Sequence, residues 1–185
     1  MTRLESDSVR RSAFGQGITR SPSPMVATVV PYASIMIGSM VVLLPVIASA
    51  PVLPPTGFMM MLAWRLARPG LLPVWAGALL GAFDDLFSGQ PFGFGIMTWS
   101  LVMLIVEGME ARFPWRGFAQ DWLVSAAAVA AYIVAAAMLA GGAHIGAHLV
   151  AIVPQLLLSV LIFPIFSLMA STLDRFRLRP IRATD

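Results

Sequence analysis

Residues 81–93 read GAFDDLFSGQPFG: two adjacent carboxylates, Asp84 and Asp85, stand between a long apolar run and a turn rich in glycine and proline. The surrounding composition is that of a membrane protein. Of 185 residues, 58% are hydrophobic and 11% charged, and the mean hydropathy is +0.84. An ordinary soluble domain is about 25% charged, so a water-soluble globule is excluded as the expectation. A charge at the centre of a bilayer costs about 2.5–3.5 kcal/mol on insertion scales, and two such charges side by side therefore need a reason.

Working outward from this stretch, breakers and charges divide the chain into six apolar segments. Membrane helices need about 20 apolar residues to cross a ~30 Å hydrocarbon core. The expected spans are 25–48, 56–67, 71–87, 92–109, 122–139 and 149–173. Pro31 and Pro45 are expected to bend the first. The second is short and ends at Arg68-Pro69-Gly70. Residues 1–24 read as a disordered cytoplasmic tail without the apolar core of a cleavable signal, and 175–185 as a basic cytoplasmic tail. Outer loops this short leave no room for an extracytoplasmic domain.

Orientation follows from arginine. Lysine is absent, and all twelve basic residues fall in the N-terminal tail, the 65–70 turn, the 110–121 link and the C-terminal end. Cytoplasmic loops retain positive charge, so both termini are expected inside. The basic residues sit at membrane edges rather than on an aromatic-studded face, so the pI of 10.6 does not point to nucleic acid. Cysteine is absent, which removes disulfides, thiolate nucleophiles and Cys-ligated metals. Without lysine there is also no Schiff-base or P-loop chemistry.

The acidic stretch thus falls near the outer end of the third span. Gly77, Gly81, Asp85, Gly89 and Gly93 recur every four residues. On a helix Gly77, Gly81 and Asp85 form one stripe, and Gly77 with Gly81 makes a GxxxG that permits close backbone approach. Asp85 is therefore expected to face a packed helix and to accept hydrogen bonds from the free amides at the start of the next one. Gly89 is placed to end the helix in a left-handed conformation, and Pro91 prevents its continuation. Asp84, about 100° away around the helix, is expected at the outer surface or against a partner.

These residues carry a resemblance. The pattern Gly81-Ala82, Asp85-Leu86, Ser88-Gly89 and Gly93 resembles the MreD family of rod-shape-determining inner-membrane proteins. Trp64-Arg65, Arg68-Pro69 and Pro164 agree with it, and the likeness covers about residues 25–178. Asp84 departs from the family, where an apolar residue is more usual. The resemblance implies an all-α polytopic membrane protein of six transmembrane helices, similar to the substrate-binding components of energy-coupling-factor transporters. It also implies a non-catalytic scaffold without cofactors that works with MreC, the actin-like MreB, and the glycosyltransferase RodA with its transpeptidase partner. The Arg-rich inner face could meet membrane lipid.

Other polar groups leave alternatives open. His144 and His148 are four apart, as metal ligands or a proton relay are, or else stand in water in an outer loop. Glu107 and Glu110 form a carboxylate pair with Arg112 and Arg116 at hand, or Glu107, the deeper of the two, makes an ion pair with Arg65 or Arg68. Ser159 and Ser167 lack any nucleophile-elbow pattern. The Ala-rich fifth segment offers a partner surface or ordinary close packing, and the methionines read as flexible filler. Ser34-xxx-Gly38 is the nearest thing to a docking stripe for an ATPase module. The competing functions are a small-solute-binding transporter component and a membrane enzyme using either carboxylate pair.

Overall fold

The computed structural model describes residues 24–43, 53–112, 117–141 and 150–178. His144, His148 and the two terminal tails up to residue 23 and from residue 179 lie outside them, as do residues 44–52 and 113–116. The described residues are all helical in their regular structure. Helix α1 spans Pro24–Met40 and continues as a short 3₁₀ turn, Val41–Leu43. It is followed by α2 (Thr56–Ala67), α3 (Ala76–Asp85), α4 (Phe94–Arg112), α5 (Phe118–Gly141) and α6 (Val153–Arg177). By length and composition α4, α5 and α6 are apolar enough to cross a membrane. The third segment is shorter than the expected span, because Pro73 and the turn around it delay the helix to Ala76.

Helix α2 lies at the centre. Eleven of its twelve residues, Thr56 through Leu66, are buried, which a lipid-facing helix would not show. It is apolar all round, the pattern of a helix enclosed by others. α1, α6 and α5 pack against it. Phe58 stacks on Tyr132 of α5 at 4.7 Å and tilts against Trp99 of α4 at 5.8 Å. Met59, Met60 and Met61 are all buried in the resulting core, whereas Met97 and Met138 are exposed. At its end, Arg68 is extended because the following Pro69 disfavours helical backbone there, and Gly70 takes a positive φ of 82°.

The outward faces remain apolar. On α4, Met97, Leu101, Leu104 and Ile105 are exposed at helical spacing, and on α6 so are Leu157, Leu161, Ile165 and Leu168. Such stripes are far more apolar than a water-facing surface tolerates. They are the faces suited to lipid.

α1 and α2 approach closely where both carry small residues. A Cβ on Gly38 would lie 3.1 Å from Gly57 Cα, and one on Gly57 would overlap Ser39 Oγ. Thr56 Oγ1 donates to Gly38 O at 2.5 Å, and Trp64 Nε1 donates to Ser34 Oγ at 2.8 Å. The Ser34-xxx-Gly38 stripe is thus turned inward onto α2. It is not the docking surface that its spacing suggested.

Candidate functional site

Helices α3 and α4 form an antiparallel hairpin held by its glycines. A Cβ on Gly77 would meet Met103 Cγ at 3.0 Å and Trp99 O at 3.1 Å, and one on Gly81 would overlap the backbone of Gly95. Gly95 in turn has no room for a side chain, since Gly81 O lies 2.7 Å from where its Cβ would stand. Two backbones in direct contact leave little space for anything but main-chain polar groups to interact. Gly95 escaped the sequence reading because it breaks the four-residue spacing, although a glycine in the first turn of the following helix was a usable signal.

At the head of this hairpin Asp85 is 7% exposed. Its Oδ1 accepts from Gly95 N at 2.7 Å, and its Oδ2 accepts from Gly93 N at 2.8 Å and Ile96 N at 3.3 Å. The first amides of a helix have no partner within it, and here a side chain from the preceding helix supplies one. The chain can return to Asp85 because Gly89 and Gly93 take φ values of 69° and 100°, where a Cβ is strained. Pro91 supplies the carbonyl that accepts from Phe94 N at 3.0 Å. The arrangement is the turn lock that the spacing predicts. It has the chemistry of a helix cap, reached from ten residues away.

Asp84 is where expectation and structure part. It does not face the surface: it is also 7% exposed. Tyr132 Oη of α5 donates to its Oδ2 at 3.5 Å, and the Ser39 hydroxyl of α1 lies against it. The reason is that α3 is packed on two sides, by α4 and by α1, so a turn of 100° carries the side chain from one interface into another. Ser39 and Tyr132 lie 45 and 48 residues away in sequence, and nothing local announces them.

The opposite end of α2 holds the arginines. Arg65 Nη2 pairs with Glu110 Oε2 at 2.9 Å, with Arg65 only 3% exposed. Arg68 Nε and Nη2 reach Asp174 Oδ2 at 2.7 and 2.6 Å. Arg177 Nε meets Asp174 Oδ1 at 2.8 Å, its Nη1 donates to Ala27 O at 2.6 Å, and its guanidinium lies 5.6 Å from the centre of the Trp64 ring. The ion pair expected of Glu107 is made by Glu110 instead, because the rotation of α4 turns position 110 toward Arg65 and leaves Glu107 exposed. Asp174 was missed, although its i,i+3 spacing to Arg177 was a readable signal. Ser159 Oγ donates to Gln155 O at 2.6 Å, and Ser167 O accepts from Ser171 Oγ at 2.8 Å. The Ser159 hydroxyl is thus occupied within its own helix. On the Ala-rich α5, Val129, Tyr132, Ile133 and Ala137 make a buried face, so part of it serves close packing within the molecule.

The site thus consists of one carboxylate fully engaged by backbone amides and a second held loosely between helices. Compared with protein-family models, curated proteins and solved structures, the chain gave no match in any of the three.

Proposed function

We propose that this chain is a membrane scaffold of the MreD type, which binds MreC and helps position the RodA glycosyltransferase and its transpeptidase during rod-shaped wall growth. MreB would be linked indirectly, from the cytoplasmic side. In this reading the protein resides in the bacterial inner membrane as six embedded helices with both termini inside. It acts without catalysis, and the arginine end contacts lipid headgroups. The comparison with transporter substrate-binding components is one of shape.

The observation that carries the proposal is the convergence of the motif on one hairpin. Gly77, Gly81, Asp85, Gly89 and Gly93 are the residues of the resemblance and its stripe, and each serves the α3–α4 crossing or its turn. A motif spent on holding one hairpin rigid suits a protein whose output is a shaped surface. A rigid hairpin with exposed apolar faces is a suitable partner-helix surface within a bilayer, where close packing drives association. The central helix α2 can be shorter than a bilayer because protein encloses it on every side.

The test is affinity purification of the tagged full chain from its native membranes in mild detergent, with proteins and small molecules identified by mass spectrometry. The expected result is recovery of MreC-like and RodA-like partners, lost on Asp85→Ala. Recovery of an ATPase module or a stoichiometric metabolite instead would replace the scaffold with a solute-binding component.

A further inference from the structure

Asp84 and Asp85 are neighbours in sequence but not in electrostatics. Asp85 faces the start of α4, whose free amides supply about half a positive charge. Asp84 sits in the last turn of α3, where there is no basic residue and the helix carbonyls carry the opposite partial charge. The end of α1 lies beside it, but the start of α2 offsets that end through the Thr56–Gly38 bond. Among the described residues the arginines, Arg65, Arg68, Arg112, Arg175 and Arg177, all lie toward the opposite ends of α2, α4 and α6. Asp84 is therefore a buried carboxylate with no described cation near it.

What surrounds Asp84 is oxygen, incompletely bonded. Tyr132 Oη is 3.5 Å from Oδ2, a long contact for two oxygens. Ser39 is 1% exposed, and its Oγ lies beside the carboxylate without a hydrogen bond of ordinary geometry. Trp99 Nε1, also buried, lies beside the phenol of Tyr132 without a hydrogen bond of ordinary geometry. Poorly bonded buried groups around one loose contact call for a small species between them. A water molecule would satisfy the hydroxyls yet leave the carboxylate charge uncompensated in a buried site.

We infer that Asp84, Ser39 Oγ and Tyr132 Oη bind a small alkali cation, with sodium as the ion to test. One carboxylate and two hydroxyls are hard oxygen donors. Among the described residues no three His, Cys, Asp or Glu side chains cluster, so the donor set is unlike that of a zinc or iron centre. The site joins α3, α1 and α5, and the ion would tie α3 to two helices, α1 and α5, that the hairpin lock of Asp85 does not reach. The inference is independent of which proteins the chain assembles with.

The experiment measures thermal unfolding of the purified full chain in neutral detergent, with sodium chloride replaced by choline chloride at fixed pH and ionic strength. Sodium should raise the Tm with the logarithm of its concentration, by about 4 °C at roughly ten times its dissociation constant, and equilibrium dialysis with radioactive sodium should show saturable binding. Asp84→Asn should abolish both effects. Ser39→Ala and Tyr132→Phe, which keep their shapes, should weaken sodium binding about ten-fold and carry the test if the aspartate variant fails to fold. A Tm indifferent to cation identity overturns the inference, as does a sodium effect that survives in Asp84→Asn. A Tm that responds to pH but not to sodium would also overturn it, because a proton would then be neutralising the carboxylate.

Discussion

At one end of α2 the charged side chains are paired with each other: Arg65 with Glu110, and Asp174 with Arg68 and Arg177. At the other end Asp85 is paired with the backbone, through the amides of Gly93, Gly95 and Ile96. The two clusters are close for a membrane protein, since Gly95 and Glu110 are fifteen residues apart on α4, about 22 Å. That is less than a ~30 Å hydrocarbon core, so both must be satisfied within the protein. They differ in what evolution or an experimenter can replace. A side-chain pair can be exchanged as a pair for apolar residues, and in other buried ion pairs this is often neutral or stabilising. Backbone amides cannot be mutated away, so the acceptor opposite them has no apolar substitute.

The largest effect should come from breaking one half of the arginine end. Glu110→Ala leaves the buried Arg65 guanidinium without that counter-charge, at a cost of about 3–5 kcal/mol, read as a fall in detergent Tm of about 10 °C. The double variant Arg65→Met, Glu110→Leu should regain most of that loss. If the double is as unstable as the single, the contrast between the two ends collapses.

Asp85→Ala should be nearly as severe, at about 3 kcal/mol or more, because each buried amide loses its acceptor. Asp85→Asn keeps one carbonyl oxygen and should restore part of the stability, whereas Asp85→Leu should restore none. Denaturation of the three variants under identical conditions checks the order. An Asp85→Leu variant as stable as Asp85→Asn would mean that the amides find other partners.

Gly81→Ala forces a methyl group onto the Gly95 backbone and should cost about 1–3 kcal/mol, with the loss confined to the α3–α4 pair when local unfolding is followed by proteolysis. The smallest effect belongs to Gly89→Ala. Nothing lies within 4 Å of the added carbon, so only the positive φ is strained, at about 1 kcal/mol. A Gly89→Ala loss larger than that of Gly81→Ala would shift the emphasis from the helix crossing to the turn.

The acidic turn was legible because its chemistry is local. Asp85, Gly89, Gly93 and Pro91 lie within one turn, where helix periodicity and backbone preference decide the outcome. The partners of Asp84 were not legible, because Ser39 and Tyr132 reach it only through the packing of α1 and α5. The same limit explains why Ser34 and Gly38 looked available from their spacing and proved to face α2. Glu107 was expected to pair with Arg65 or Arg68, and the pair falls to Glu110 and Arg65 because the rotation of α2 and α4 decides which side chains meet. Helix ends marked by proline and glycine were readable to within a few residues. The complete burial of α2 was not readable, since an apolar helix facing lipid and one facing protein have the same composition.

The most direct measurement is amide hydrogen exchange of the α3–α4 turn in the wild type and in Asp85→Ala, followed by mass spectrometry on peptides covering residues 86–100. The account predicts protected amides at Gly93, Gly95 and Ile96 in the wild type and their loss in the variant. The α2–α6 region around Arg68 and Asp174 should keep its protection. Unchanged exchange in the 86–100 peptides of the variant would contradict it, because the turn would then be held by something other than the Asp85 carboxylate.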